Sequence, residues 1–267
     1  MSCTAIFAPL YQLFGAILKF FYDISNNYGI AIMLFTLAVN IILLPLTWKQ
    51  QKSTTKMQAI QPELQKIQQK YKNDKEKLNM EMMKLYQDNN INPMSGCLPL
   101  LIQLPIIFIL YQIVQKPVTY ILGQPTDLVN EIALAAEKGV NFNFLGLNLG
   151  AYPNQAYGLL LIIPVLAGVT TYALTWLTTR QAEAKKTPEQ KKRDEDNSTA
   201  NSMQTMNKLM PLLTAFIAYT FPAGLGFYWI MNNIFKMIQQ LAVNKILSKE
   251  DPLVVEHNSG NKKKKKK

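Results

Sequence analysis

Five stretches of the chain are almost free of charge, and the charged residues are gathered between them. These stretches are Tyr28 to Leu46, Ser95 to Val114, Tyr157 to Thr178, Lys208 to Phe221 and Gly224 to Val243. The first has 19 residues; as a helix it reaches about 28 Å, one hydrocarbon core. The last two are separated only by the turn residues Pro222 and Ala223. A single helix through both would be too long for one crossing, so the pattern predicts two helices joined by a tight turn. The fold class predicted is an all-α membrane protein of five transmembrane helices.

Between the first two stretches, Met57, Ile60, Leu64, Ile67 and Tyr71 recur at helical spacing. Lys72-Asn73-Asp74 reads as a turn, and Leu78, Met82 and Leu85 begin a second amphipathic helix that stops before Asn89-Asn90. Residues 49–92 are therefore expected to form a helical hairpin, its first arm bent or started by Pro62. Met57, Met80, Met82 and Met83 are its candidate substrate contacts, because Met suits adaptable binding surfaces; packing of the two stripes on each other is the simpler use of any one of them. Residues 6–24 form another apolar segment, but Gln12, Lys19 and Asp23 fall on one helical face. This predicts an amphipathic helix on the outer surface, within an N-terminal unit of residues 1–27. Residues 179–206 mix six basic with five acidic residues and read as a solvated loop. Residues 116–156 read as an outer loop whose apolar patches lie in the interface.

Charge sets the orientation. Lys and Arg number nine in residues 48–94, six in 179–206 and eight after Asn244, against two in 116–156 and one in 1–27. The basic segments belong on the cytoplasmic side, giving an outer N-terminus and a cytoplasmic C-terminus. Residues 28–247 are then the core, and residues 248–267 a disordered basic tail. Lys262, Lys263, Lys264, Lys265, Lys266 and Lys267 close that tail and suit polyanions, a ribosome surface among them.

Composition narrows the chemistry. The chain is 49% hydrophobic and 17% charged, which excludes collagen, disulfide-scaffold and disordered classes. Cys3 and Cys97 offer no disulfide framework, and no lipobox accompanies Cys3. No basic leader precedes the first apolar run. The one histidine, His257, lies in the polar tail, so a histidine-based triad or zinc site has no partner within the fold. No cofactor, no metal and no catalytic set are expected.

No Asp, Glu or His lies within any of the five stretches, which argues against a proton-coupled pump. The polar residues there are neutral, apart from Lys208 and Lys236 towards helix ends. Thr36 and Asn40 are one helical turn apart; Trp229, Asn232, Asn233 and Lys236 are expected to share a face; Gln103 lies in the second stretch. Buried amides need partners or water. These residues are either inter-helix hydrogen-bonding glue or the lining of a wetted groove open to the cytoplasm.

At Pro45-Leu46, at Asn92-Pro93-Met94-Ser95-Gly96-Cys97-Leu98-Pro99-Leu100-Leu101-Ile102-Gln103-Leu104-Pro105, at Phe221-Pro222-Ala223-Gly224-Leu225 and at Tyr228-Trp229-Ile230-Met231-Asn232-Asn233 before Gln239-Gln240, the chain resembles the YidC-type membrane protein insertases. That family is related to the mitochondrial oxidase-assembly and chloroplast albino insertases. The strings follow family order from about Asn27 to Asn244, and the second is specific. The resemblance implies a bacterial plasma-membrane protein of the short, Gram-positive-like form, with no chemical step. It implies a groove closed on the outer side and a hairpin that receives nascent membrane proteins, which then pass along spans three and five into the lipid bilayer. A ribosome and a Sec translocon are the implied partners. The family usually carries an Arg where this chain has Asn40, so the groove here is polar but uncharged. A channel or transporter is the alternative; its marks, paired intramembrane charges or an inverted repeat, are not seen in the sequence.

Overall fold

The computed structural model describes residues 3–89, 91, 98–124, 126–128, 130–156, 158–184 and 198–250. The chain is mostly helical. Helices α1 (Cys3–Ser25), α2 (Tyr28–Lys70), α3 (Lys75–Asp88), α4 (Leu98–Gln115), α5 (Pro117–Tyr120) and α6 (Ile132–Glu137) precede a short β-hairpin of β1 (Asn143–Phe144) and β2 (Leu147–Asn148). A 3-10 turn at Leu159–Leu161 leads into α7 (Ile162–Ala184), followed by α8 (Ser198–Thr220) and α9 (Ala223–Glu250).

The first apolar stretch and the first hairpin arm are one helix. α2 runs for 43 residues, about 64 Å, through both Pro45 and Pro62. The first arm therefore does not start at Pro62, which lies inside the continuous helix. The helix starts sharply because the side chain of Asn27 accepts from the backbone N–H groups of Gly29 and Ile30, satisfying two of its orphan donors. Asn26 turns the corner from α1 with φ of 47°, a left-handed conformation that Asn tolerates. α3 starts on Asp74, whose carboxylate caps Lys77 N–H at 3.0 Å. The hairpin stripes are as the spacing predicts: Ile60 is buried, and Leu64, Ile67, Leu78 and Leu85 are half-buried.

Two helical segments, Tyr28–Gln50 and Leu159–Gln181, are long and apolar enough to cross a membrane, yet only 33% and 22% of their apolar windows are buried. A soluble protein's core helix would be mostly buried. On α7, Ile162, Val165, Val169, Tyr172 and Trp176 form an exposed apolar face, and on α8 Leu209, Leu212, Leu213 and Phe216 form another. Apolar faces of that extent are stable only against lipid or another protein. Pro105–Gln115 and Lys208–Thr220 are shorter apolar helices. The expected loop at 179–206 is partly helical: α7 runs on to Ala184 and α8 begins at Ser198. That extension adds polar turns to both spans.

The described residues of 116–156, expected to be an outer loop with apolar patches, fold into a cap over one end of the bundle. Phe142 and Leu149 are buried, and Phe142 stacks edge-on against Tyr28 at 4.9 Å between ring centroids. The cap satisfies helix-end groups that have no intrahelical partner. Asn141 O accepts from Tyr28 N–H at 2.9 Å, Leu149 O from Gly224 N–H at 2.7 Å and Ala151 O from Ala223 N–H at 2.9 Å. Asn154 N–H donates to Tyr219 O at the end of α8 at 3.2 Å. Gly29 is required for this fit, because a Cβ there would lie 2.4 Å from the Phe144 ring. α1 crosses the same end: Phe14 meets Phe35 of α2, Gly15 packs against Tyr120, and Lys19 donates to Ile121 O at 2.9 Å.

Candidate functional site

The polar residues singled out in the sequence converge on α9, which lies between α2 and α7. Asn232 and Asn233 are each only 4% exposed, and Thr36 is fully buried. The Asn40 amide donates to Asn232 Oδ1 at 3.2 Å and to its own helix at Thr36 O at 2.8 Å. The Thr36 hydroxyl donates to Ile32 O at 2.6 Å, so it is satisfied within α2. Asn233 turns the other way, donating to the hydroxyls of Thr170 at 3.2 Å and Thr171 at 2.9 Å. The expectation that Asn232 and Asn233 share one face is thus corrected. Consecutive helical residues diverge by about 100°, enough to aim the two amides at different neighbouring helices.

The same division recurs seven residues on, where helical directions nearly repeat. Gln239 donates to the Thr47 hydroxyl of α2, and Gln240 donates to Gln181 Oε1 of α7 at 2.9 Å. Helix α9 therefore carries two seams of amide rungs, one towards α2 and one towards α7. Thr47, Gln181, Gln239 and Gln240 were not singled out as site residues; the seven-residue spacing of the Asn and Gln pairs was the signal available. Trp229 is half-buried, three residues above Asn232. Lys236 is half-buried on the stretch between the Asn232 and Gln239 rungs. Gln103 lies within α4, its side chain outside the described residues.

Ladders of this kind are neutral and self-satisfying. Amides and hydroxyls bond across the seams, and Thr171 and Thr175 also donate to carbonyls of their own helix, at 2.8 Å each. The described rungs themselves are uncharged amides and hydroxyls bonded to one another, the arrangement that polar residues between helices need in hydrocarbon. Among the described residues no group of three His, Cys, Asp or Glu could hold a metal ion.

A second polar cluster holds the cap. Glu131 is fully buried; its carboxylate accepts from Thr119 N–H at 2.7 Å, the Thr119 hydroxyl at 2.6 Å and the Thr126 hydroxyl at 2.9 Å. Tyr152 OH pairs with the Gln115 amide and accepts from Asn130, joining the end of α4 to the cap. Burial, then the charges of Tyr11 and Glu131, push the Tyr120 phenol above its usual range. Nothing in the sequence pattern distinguishes Glu131 from a surface acid. Its role is closure of one end of the bundle.

The hairpin methionines divide. Met57 and Met82 are half-buried in the stripes between the arms, whereas Met80 and Met83 are 66% and 55% exposed. α3 contains no buried residue. The specific string at residues 92–97 and the tail Lys262–Lys267 lie outside the described residues.

Comparison with known proteins covers both the bundle and the hairpin. The family model for the 60Kd inner membrane protein matches residues 20–250. The chain is 39% identical over 252 residues to the membrane protein insertase YidC of Clostridium perfringens, covering 92% of each chain. It is 33% identical over 253 residues to the YidC insertase of Treponema denticola, covering 93% of this chain and 39% of that longer protein. A solved structure of an active YidC insertase matches with a TM-score of 0.56 at 28% identity, over 90% of this chain and 46% of that one. The match runs from the end of α1 through α9, so the ladder, the cap and the hairpin all fall within it, and the chain belongs to the YidC family of bacterial membrane protein insertases.

Proposed function

We propose that this protein inserts nascent membrane-protein segments into the lipid bilayer, using a polar, uncharged path beside α9 that opens towards the cytoplasm. Family membership supports the insertase role. The observation that carries the path is the placement of Asn40, Thr47, Asn232 and Gln239 along one seam, below a cap that closes the opposite end. A span entering lipid gains transfer energy but must move its polar outer end through hydrocarbon. Amides and hydroxyls hold water or bond a passing polar group with both donors and acceptors. A wet path through half of the bilayer shortens the apolar barrier by about half of 30 Å. No bond is made or broken, so no catalytic residue is assigned.

In this reading five helices span the bilayer: the first part of α2, α4, α7, the apolar part of α8, and α9. The cap and α1 lie outside, the α2–α3 hairpin inside. α1 fits an interfacial position, because Leu10, Leu13, Phe20 and Ile24 form an exposed apolar line along it, distinct from the line of Gln12, Lys19 and Asp23. The hairpin receives the client through Met80 and Met83, and the exposed apolar face of α7 guides it into lipid beside α9. With Cys3 and Cys97 replaced by serine, a cysteine at Gln124 is expected to react with an impermeant thiol reagent in intact cells, and one at Asn73 to react only after lysis. Labelling at Asn73 in intact cells would overturn this arrangement.

The basic tail adds a ribosome contact. Its six lysines, Lys262 to Lys267, neutralise phosphates in a salt-dependent way. Truncation after Gly260 is expected to weaken ribosome binding and flatten its dependence on salt; an unchanged slope removes the tail from the ribosome contact. A Sec translocon remains a proposed partner on family grounds alone. The channel reading is not favoured. Proteoliposomes separate the two, since a channel conducts without a client and an insertase moves a client without conducting.

A further inference from the structure

The cap has a charged half and an uncharged half. Lys116, Asp127, Glu131, Glu137 and Lys138 all precede Gly139, whereas residues 139–179 contain no charged residue. The β-hairpin belongs to the uncharged half. Its paired residues Phe144 and Leu147 share one face, and that face rests on the bundle. The Phe144 ring lies against Gly29 of α2 and 5.1 Å from the Phe227 ring of α9. Asn143 and Asn148 share the other face and are exposed. β2 packs beside the 3-10 turn Leu159–Leu161. The two segments long and apolar enough to cross a membrane begin at Tyr28 and at Leu159. The β-hairpin therefore lies at the level where both of them leave the hydrocarbon.

The tip of the β-hairpin is Leu145-Gly146, a two-residue turn with φ of 51° and 79°. Positive φ at both central residues is the pattern that Asn-Gly fills most readily, and leucine is strained there. Leu145 is also 83% exposed, and a Cβ on Gly146 would meet nothing within 4 Å, so the bundle does not cover the tip. In water an asparagine would serve better on both counts. Beside β2, Leu159, Leu161 and Ile162 are exposed and continue into the apolar face of α7. We infer that the tip of the β-hairpin is a lipid anchor, with Leu145 among the acyl chains beside the start of α7 and Asn143 and Asn148 turned to headgroups and water. The leaflet is the outer one, on the placement of the cap proposed above. The headgroup zone on one side of a bilayer is about 5–7 Å deep, two residues of strand, so a leucine level with the span ends is within reach of the acyl chains. Lipid is the occupant because the exposed leucines run, with no charge between them, into a membrane-spanning face.

The test uses the full-length protein, with Cys3 and Cys97 replaced by serine, in vesicles of phosphatidylethanolamine and phosphatidylglycerol. A fluorophore is attached at Leu145→Cys or, on the charged half of the cap, at Ala136→Cys, which is exposed on α6. Nitroxide on the upper acyl chain is expected to quench the probe at position 145 by about twofold or more, and iodide on both sides of the membrane to leave it almost unquenched. The probe at position 136 should show the reverse. Iodide quenching as strong at 145 as at 136 overturns the anchor, and so does protection from both quenchers, the sign of a protein covering the tip. A photoreactive benzophenone side chain in place of Leu145 removes any effect of the fluorophore's linker. It is expected to give adducts with lipid; adducts chiefly with protein overturn lipid as the occupant. Neither measurement involves a client, so a failed anchor leaves the insertase reading standing.

Discussion

Asn40→Leu is expected to lower insertion of a single-span client about tenfold, while Asn40→Arg retains most of it. Asn40 donates to Asn232 Oδ1 at 3.2 Å, and Asn232 is 4% exposed, so leucine leaves a buried carbonyl without that donor. Such a loss costs about 1–3 kcal/mol, and it also removes a hydrogen-bonding group from the path. Leucine matches the apolar surroundings, so the thermal midpoint in detergent should fall by only a few degrees. Arginine keeps donors at the same place and reaches towards water along its stem. If charge rather than hydration drives the step, Lys236, four residues from Asn232 on the same helix, becomes essential and Lys236→Gln is as damaging as Asn40→Leu. Comparing a client with an acidic outer tail and one with a neutral tail separates the two causes. Full insertion of both clients by Asn40→Leu would reduce Asn40 to packing.

Deleting residues 57–88 is expected to leave a stably inserted protein with less than about a tenth of the insertion activity. The first hairpin arm continues the α2 helix for about 30 Å beyond Gln50. α3 has no buried residue, and its half-buried side chains face the α2 stripe. Removing both arms together takes out no member of the main hydrophobic cluster of the bundle. What goes is the surface that bears Met80 and Met83. The measurement is insertion in proteoliposomes against thermal unfolding of the same preparation. Unchanged insertion, or loss of insertion together with collapse of the fold, would remove the receiving role from the hairpin.

The parts legible in the sequence are those governed by local periodicity. The 57–60–64–67–71 stripe, the turn at 72–74 and the break near Pro222 each depend on neighbours a few residues away, and each is where the pattern puts it. The continuity of α2 was hidden because a change from apolar to polar residues after Leu46 looks like a helix end. Polarity, however, reports the surroundings of a helix and not its backbone bonding. Residues 49–70 are polar in water and helical all the same. The cap was hidden for the opposite reason. Its order comes from contacts such as Asn27 to Asn143 and Tyr22 to Asn141, more than a hundred residues apart. Within the site, the residue types were readable but not their directions. Asn232 and Asn233 look like one feature in the sequence, and only the packing of α9 between two helices gives them separate partners.

The insertase reading requires that the purified protein move a hydrophobic segment into lipid. The direct measurement is synthesis of a single-span client in the presence of liposomes containing only the purified protein, scored by protease protection of the client's outer tail, with ion flux recorded on the same vesicles. The account predicts protection several-fold above that in protein-free liposomes, and no flux before the client is added. Flux without a client, together with protection no higher than in empty liposomes, would contradict it.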